Sequence, residues 1–178
     1  MDLGSLEDVT FLGCTFQEID KMHQLGLIGD WAVGGSVASL LSMGPTHTDD
    51  LDLIVQFPGS GLLIDPSPIF QYAKSQGFPY TDDHIRICGV SVQFLPIAND
   101  LAQEAVKHAK CFCIGSTHIK FLDAEYLMAM MLELGRGKDK LRLLKMMQES
   151  GYDEQQFGDI VKRHGLLLKL AAFRKLVE

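Results

Sequence analysis

The sequence predicts an α+β fold: a layer of strands and helices followed by a C-terminal helical bundle packed on it. Three observations lead there. Between residues 28 and 95, short β-rich or alternating segments are cut by glycines and prolines, the pattern of strands and hairpins. From Asp123 onward the pattern is helical, punctuated by Gly135, Gly137, Gly151 and Gly165. With 178 residues, 47% hydrophobic and 22% charged, the chain has the size of one domain with at most a small appendage. Its composition excludes a disordered chain, a collagen-like repeat and a coiled coil.

The elements follow in order. Leu6, Val9, Leu12, Phe16, Ile19, Met22 and Leu25 recur every three or four residues and predict a helix over 5–25, opened by Ser5 with Asp8 behind it. Residues 28–33 (IGDWAV) form a short strand that Gly34-Gly35 breaks. Ser36–Met43 reads as a short helix stopped by Gly44-Pro45. Residues 51–57 (LDLIVQF) form a second strand, 58–68 a loop, and 67–76 a helix closed by Gly77. HIRIC (84–88) and VSVQFL (90–95) alternate around Gly89 and predict an antiparallel hairpin. A helix near 100–109 and a strand near 110–115 precede helices over 122–134, 138–149, 153–163 and 165–177. The division is a core over 1–121 and a helical region over 122–178. Five of the eight methionines fall between 128 and 147, where they read as filling between helices.

Charge is unevenly spread within a formal net of −7. Residues 1–135 hold 6 Lys+Arg against 17 Asp+Glu, and residues 136–178 hold 10 against 6. An acidic body argues against broad DNA binding, whereas the basic C-terminal part leaves room for a smaller polyanion such as a nucleotide. Cys14, Cys88, Cys111 and Cys113 show no CxxC pair and no zinc spacing, so they read as reduced core thiols. With no apolar leader and no run of about 18 apolar residues, the expectation is a soluble, cytoplasmic protein without a membrane partner.

The chemistry concentrates in Trp31–Gln56. A strand enters Gly34-Gly35-Ser36, and after 13 intervening residues (37–49) Asp50-Leu51-Asp52 heads the next strand. Paired glycines let a backbone approach a phosphate, and a following helix start offers N–H groups to an anion. Ser36 could cap that helix or donate to a terminal phosphate. Acids two apart in a strand project from one face. Hard oxygen pairs of that kind suit Mg²⁺, which typically takes one or two carboxylates plus substrate phosphates. Together these features describe phosphoryl or nucleotidyl transfer.

This arrangement resembles the polymerase-beta nucleotidyltransferase superfamily, marked by Gly-Gly-Ser, a spacer of about a dozen residues, then Asp-hydrophobic-Asp on the next strand. Within it the sequence looks most similar to the abortive-infection type, the nucleotidyltransferase toxins of toxin–antitoxin systems. Their Thr-x-Asp-hydrophobic-Asp run is matched by Thr48-Asp49-Asp50-Leu51-Asp52. Their Lys-Asp pair opening a C-terminal helix is matched by Lys138-Asp139 after Arg136-Gly137. The likeness spans about residues 5–145, with motifs at 34–56 and 136–139. It implies a nucleotidyltransferase-type mixed sheet flanked by helices. It also implies an enzyme that moves a nucleotidyl group from an NTP to a hydroxyl acceptor on RNA, protein or a small molecule. Asp50 and Asp52 would hold Mg²⁺ and act catalytically. Gly34, Gly35, Ser36 and Lys138 would bind the nucleotide, and an antitoxin would be a partner.

Two positions depart from that pattern. Thr46 stands where relatives carry Arg, and Gln93, within Val92-Gln93-Phe94-Leu95-Pro96, stands where the superfamily has its third carboxylate. An amide oxygen can ligate weakly but cannot accept the acceptor's proton. Asp82, Asp83 or Glu104 would have to replace that acid. Otherwise a group on the substrate side serves, or the enzyme is impaired; the second reading is a degenerate module that binds a nucleotide or a protein partner without chemistry. A third alternative is an interaction protein using the Met-rich helices. His47 and His84 read as surface histidines unless their loops approach the site.

Overall fold

Side-chain alternation along three neighbouring strands divides the fold into a core face and an open face. The computed structural model describes residues 6–35, 50–59, 64–114, 117–149 and 151–177. Its strands are β1 (Trp31–Val33), β2 (Asp50–Val55), β3 (His84–Ile87), β4 (Val90–Pro96), β5 (Lys110–Ile114) and β6 (Thr117–Phe121). They form one mixed sheet in the order β3-β4-β2-β1-β6-β5. β2 runs antiparallel to β1 and parallel to β4, and β6 runs parallel to β1. Leu51, Leu53, Val55, Ile85, Ile87, Val90 and Val92 are buried. Asp50, Asp52, Ser91, Gln93, His84 and Arg86 alternate with them onto the other face.

Helix α1 (Leu6–Gln24) packs on β3, β4 and β6. Leu12, Phe16, Ile19 and Met22 of its stripe are buried, and the Phe16 ring stacks on Trp31 at 6.2 Å. Buried Thr15 donates its hydroxyl to the Ile87 carbonyl at 3.0 Å, tying α1 to the end of β3. Leu25, expected to complete the stripe, lies past the helix end and is 62% exposed.

The remaining helices are α2 (Ser67–Gln76), α3 (Asp100–Lys107), α4 (Ala124–Leu134), α5 (Gly137–Glu149), α6 (Glu154–Arg163) and α7 (Leu167–Val177). Their ends follow from local chemistry. Asn99, Asp123 and Asp153 each accept an N–H bond at the start of α3, α4 and α6, while Gly77 and Gly135 close α2 and α4 in the left-handed conformation. α4 is the hub and touches α3, α5, α6 and α7. It buries Tyr126, Leu127, Met128, Met131 and Leu132, and Met146 of α5 is buried too, so the methionines fill core space. Among the described residues no helix is long and apolar enough to cross a membrane.

Most elements match their expected boundaries within a few residues. The fold class is α+β as expected, a mixed sheet with flanking and C-terminal helices. The helix expected over Ser36–Met43 lies outside the described residues. Strand β6 was not anticipated. THIKF is a five-residue run that becomes a strand by pairing on both sides, with β5 and with β1. The cysteine expectation is also corrected. Cys14 and Cys88 are joined by a disulfide with Cα atoms 6.1 Å apart, and Cys111 and Cys113 are exposed rather than core. Packing of α1 across the β3–β4 turn brings the pair together over a sequence separation of 74, which no local spacing signals.

Glu104 of α3 joins the sheet layer to the bundle. It accepts hydrogen bonds from Tyr126 (2.8 Å) and Arg163 (2.5 Å) and pairs with His164 Nε2 at 2.8 Å. The Arg163 bonds, with Tyr126 and His164 behind them, hold its carboxyl down at about 2. A depressed carboxylate stabilises the fold above its unfolded value of 4.5 and loses that contribution as pH falls from there toward 2. Acid titration of stability should therefore show a loss in that window that Glu104→Gln flattens. At pH 7 the variant should unfold about 1 kcal/mol more easily in urea. A reductant is expected to lower the melting temperature of the disulfide-bonded protein, because opening so long a closed loop returns chain entropy on the order of 4 kcal/mol at most.

Candidate functional site

The site forms where the end of β1 meets the beginning of β2. Their antiparallel pairing sets Val33 opposite Leu53, so the Gly34-Gly35 turn emerges beside Asp52. The Gly34 N–H donates to the Asp52 carbonyl at 2.8 Å. Gly35 has φ +60°, and a Cβ placed on it would lie 1.8 Å from Asp52 Oδ2. The carboxylate thus occupies the space a side chain would take, and only glycine fits both the backbone and the contact.

Asp50 and Asp52 share one face of β2, Asp50 exposed and Asp52 half-buried. Burial and the nearby Asp50 charge push the Asp52 carboxyl above its ordinary value, opposed by Arg142, Lys138 and His84. A half-buried carboxylate beside a second one is a place where a cation relieves both desolvation and repulsion. The donor set is two carboxylates with the Gln93 amide on the next strand. That fits a hard divalent ion completing its shell with phosphate and water oxygens. Among the described residues no group of three or more His, Cys, Asp or Glu gathers as a closed metal cage.

The parallel β2–β4 and antiparallel β3–β4 registers extend the site across the sheet. Asp52, Gln93 and His84 lie in one row, and Asp50, Ser91 and Arg86 in the adjacent row. Gln93 therefore stands beside Asp52, and none of the three acids proposed to replace it stands in that position. Glu104 is held by Arg163, His164 and Tyr126, Asp82 is exposed, and Asp83 binds His84 Nδ1 at 2.8 Å. His84 holds the Asp83 carboxyl below its ordinary value. His84 Nε2 points the other way and comes 3.8 Å from Asp50 Oδ2. The expectation of an uninvolved surface histidine is thus corrected: the hairpin delivers His84 to the acids. A cavity of about 310 Å³ opens here, lined by Asp50, Tyr80, Thr81, His84, Arg86 and Ser91.

Positive charge arrives from α5. Lys138 is exposed at its first turn, and Arg142 follows one turn later; both act on the Asp52 charge. Arg142 was not singled out in the sequence, although its i,i+4 spacing from Lys138 sets both on one helix face. Arg136 forks onto buried Asp139 at 2.5 and 3.2 Å, so this ion pair ties down the first turn of α5, which carries Lys138. Ser36, His47, Thr46, Thr48 and Asp49 lie outside the described residues.

No family model and no curated protein matches the amino-acid sequence. Solved structures do match the fold. An antigenic nucleotidyltransferase-like protein from Paracoccidioides brasiliensis superposes with a TM-score of 0.54 and 15% identity, over 96% of this chain and 94% of its own. The solution structure of the antibiotic-resistance factor ANT(2'')-Ia gives the same TM-score and identity, over 98% of this chain and 97% of its own. The fold of this chain is nucleotidyltransferase-like.

Proposed function

We propose that the protein is a Mg²⁺-dependent nucleotidyltransferase that moves a nucleotidyl group from an NTP to a hydroxyl acceptor. The observation that carries this reading is the Asp52 carboxylate seated against Gly35, which joins an acidic pair to a glycine turn fit for a polyphosphate. The nucleotidyltransferase-like fold supports it.

Asp50 and Asp52 would hold the ion, which when bound supplies charge neutralisation for the phosphoryl oxygens. The Gly34-Gly35 turn, continued by Ser36, receives the β- and γ-phosphates. Lys138 and Arg142 face them as cations from α5 and draw charge toward the leaving pyrophosphate. In-line displacement sets attacking and leaving oxygens on opposite sides of the α-phosphorus. With the phosphates over β1, the acceptor hydroxyl approaches over β4 and β3, where the 310 Å³ cavity opens. RNA, protein and small-molecule hydroxyls are the acceptor classes. By its Thr-x-Asp-hydrophobic-Asp run the chain is proposed to stand with the toxin-type enzymes, with an antitoxin as a partner.

A second reading is favoured by Gln93 alone. With an amide beside Asp52, the chain would bind Mg²⁺–NTP without transferring anything. Transfer of label from α-³²P-labelled NTPs to RNA, protein or small-molecule fractions separates the two.

Isothermal titration of ATP, GTP, CTP and UTP with Mg²⁺ tests the site itself. The double variant Asp50→Asn/Asp52→Asn is expected to lose affinity at least about 100-fold, and equal affinity in both proteins would remove the metal site. Because burial and Asp50 disfavour the charged form of Asp52, Asp52→Asn alone should melt at or above the wild-type temperature without ligand while losing the nucleotide. Gly35→Ala is expected to turn the Asp52 carboxylate aside and lower Mg²⁺–NTP affinity at least about tenfold, beside a strain cost on the order of 1–3 kcal/mol.

A further inference from the structure

We propose that His84, held by Asp83, is the group that takes the proton from the attacking hydroxyl, in the place that Gln93 leaves without an acid. The inference rests on the nucleotidyl-transfer reading above and assigns a catalytic residue within it.

The geometry carries it. Gln93 sits beside Asp52 in the sheet register, and His84 is the next residue in the same row, one strand further out. Residues paired directly across adjacent strands project from the same face about 5 Å apart. A group bound beside Asp52 on the β4 side is therefore within one strand spacing of the imidazole. His84 lines the 310 Å³ cavity together with Asp50, Tyr80 and Ser91, and its side chain is 24% exposed, so the ring is half-enclosed yet reachable. The two ring nitrogens have separate partners. Nδ1 lies 2.8 Å from Asp83 Oδ1 and Nε2 lies 3.8 Å from Asp50 Oδ2. In the tautomer whose Nδ1–H donates to Asp83, Nε2 is the nitrogen with the lone pair, and it is the one on the side of the acids. The Asp83 carboxylate, on the far side from the acids that would hold the ion, then faces the imidazolium that forms.

The step balances without any further reactant. The acceptor O–H bond breaks and its proton passes to His84 Nε2. The acceptor oxygen bonds to the α-phosphorus, and the bond from that phosphorus to the α–β bridging oxygen breaks, releasing pyrophosphate. His84 returns its proton to solvent through the open side of the cavity.

The test uses the full chain, Mg²⁺ with each α-³²P-labelled NTP, and separate RNA, protein and small-molecule fractions as acceptors. His84→Gln is expected to lower kcat at least about 100-fold. Its Mg²⁺–NTP affinity by calorimetry should stay within twofold of wild type, with an unchanged melting curve. Gln93→Asp, which restores a carboxylate beside Asp52, should return at least tenfold of that loss in the His84→Gln background. Full kcat in His84→Gln overturns the assignment. So does a parallel loss of nucleotide affinity, which makes His84 part of the metal and nucleotide site, or the absence of any recovery with Gln93→Asp. No labelled acceptor with wild type, together with Mg²⁺–NTP binding that needs Asp50 and Asp52, instead favours the non-transferring module and overturns both readings of catalysis. No Mg²⁺–NTP binding at all removes the nucleotide site.

Discussion

The site depends on a shortage of space at one glycine. Asp52 can keep its half-buried carboxylate beside the β1–β2 junction only because Gly35 has no side chain there. The same residue adopts a left-handed φ that other residues resist. Backbone conformation, close approach and negative charge are therefore fixed by one position. Asp50 adds a second charge two residues along, on the same face, and together with burial it pushes the Asp52 carboxyl above its ordinary value, against the opposing pull of Arg142, Lys138 and His84. The fold accepts that cost because β1 and β2 are locked by their ladder and by the buried side chains on the opposite face.

The surrounding architecture keeps that face open. α1 covers the apolar side of β3 and β4, with Thr15 bonding Ile87 and the Cys14–Cys88 disulfide fastening the same corner. The β3–β4 turn passes through Cys88 (φ 49°) and Gly89 (φ 87°), both with positive φ, as in the tight hairpin turns whose twist suits flanking strands. A firmly seated hairpin matters because β3 is the sheet's edge, and His84, Asp83 and Arg86 hang on it. The C-terminal bundle contributes from the other side. Arg136 and buried Asp139 pin the first turn of α5, and Lys138 and Arg142 project from that fixed start. Cations on a separate element can face a polyphosphate without neutralising the acids by direct contact.

Legibility followed the range of the physics. Local chemistry was readable: Gly77 ends α2, Gly89 turns the hairpin, and spacing of two puts Asp50 and Asp52 on one face of β2. The resemblance pointed to Gln93 as the position of a third carboxylate, and the β2–β4 register sets Gln93 beside Asp52. What was not legible depended on partners distant in sequence. β6 is a strand because β1 and β5 flank it. Cys14 meets Cys88 because α1 crosses the hairpin end. His84 belongs to the site through a register spanning three strands, and only the topology β3-β4-β2 puts them side by side. Arg142 lay within reach of a helical-spacing argument from Lys138.

Gln93 also changes the electrostatics of the row it occupies. A carboxylate there would set three negative groups on adjacent positions of one face, and Asp52 is already raised by burial and by Asp50. Each further charge would raise it again. An amide leaves a neutral oxygen beside Asp52 and removes that repulsion. In the proposed transfer the proton acceptor sits further from Asp52, on a group that can be neutral when the hydroxyl arrives and charged only after it has reacted. A carboxylate is charged before and neutral after; an imidazole is the reverse. In the proposed transfer the charge that an imidazole gains is met by Asp83 on its far side, whereas a third carboxylate beside Asp52 would add to the repulsion there.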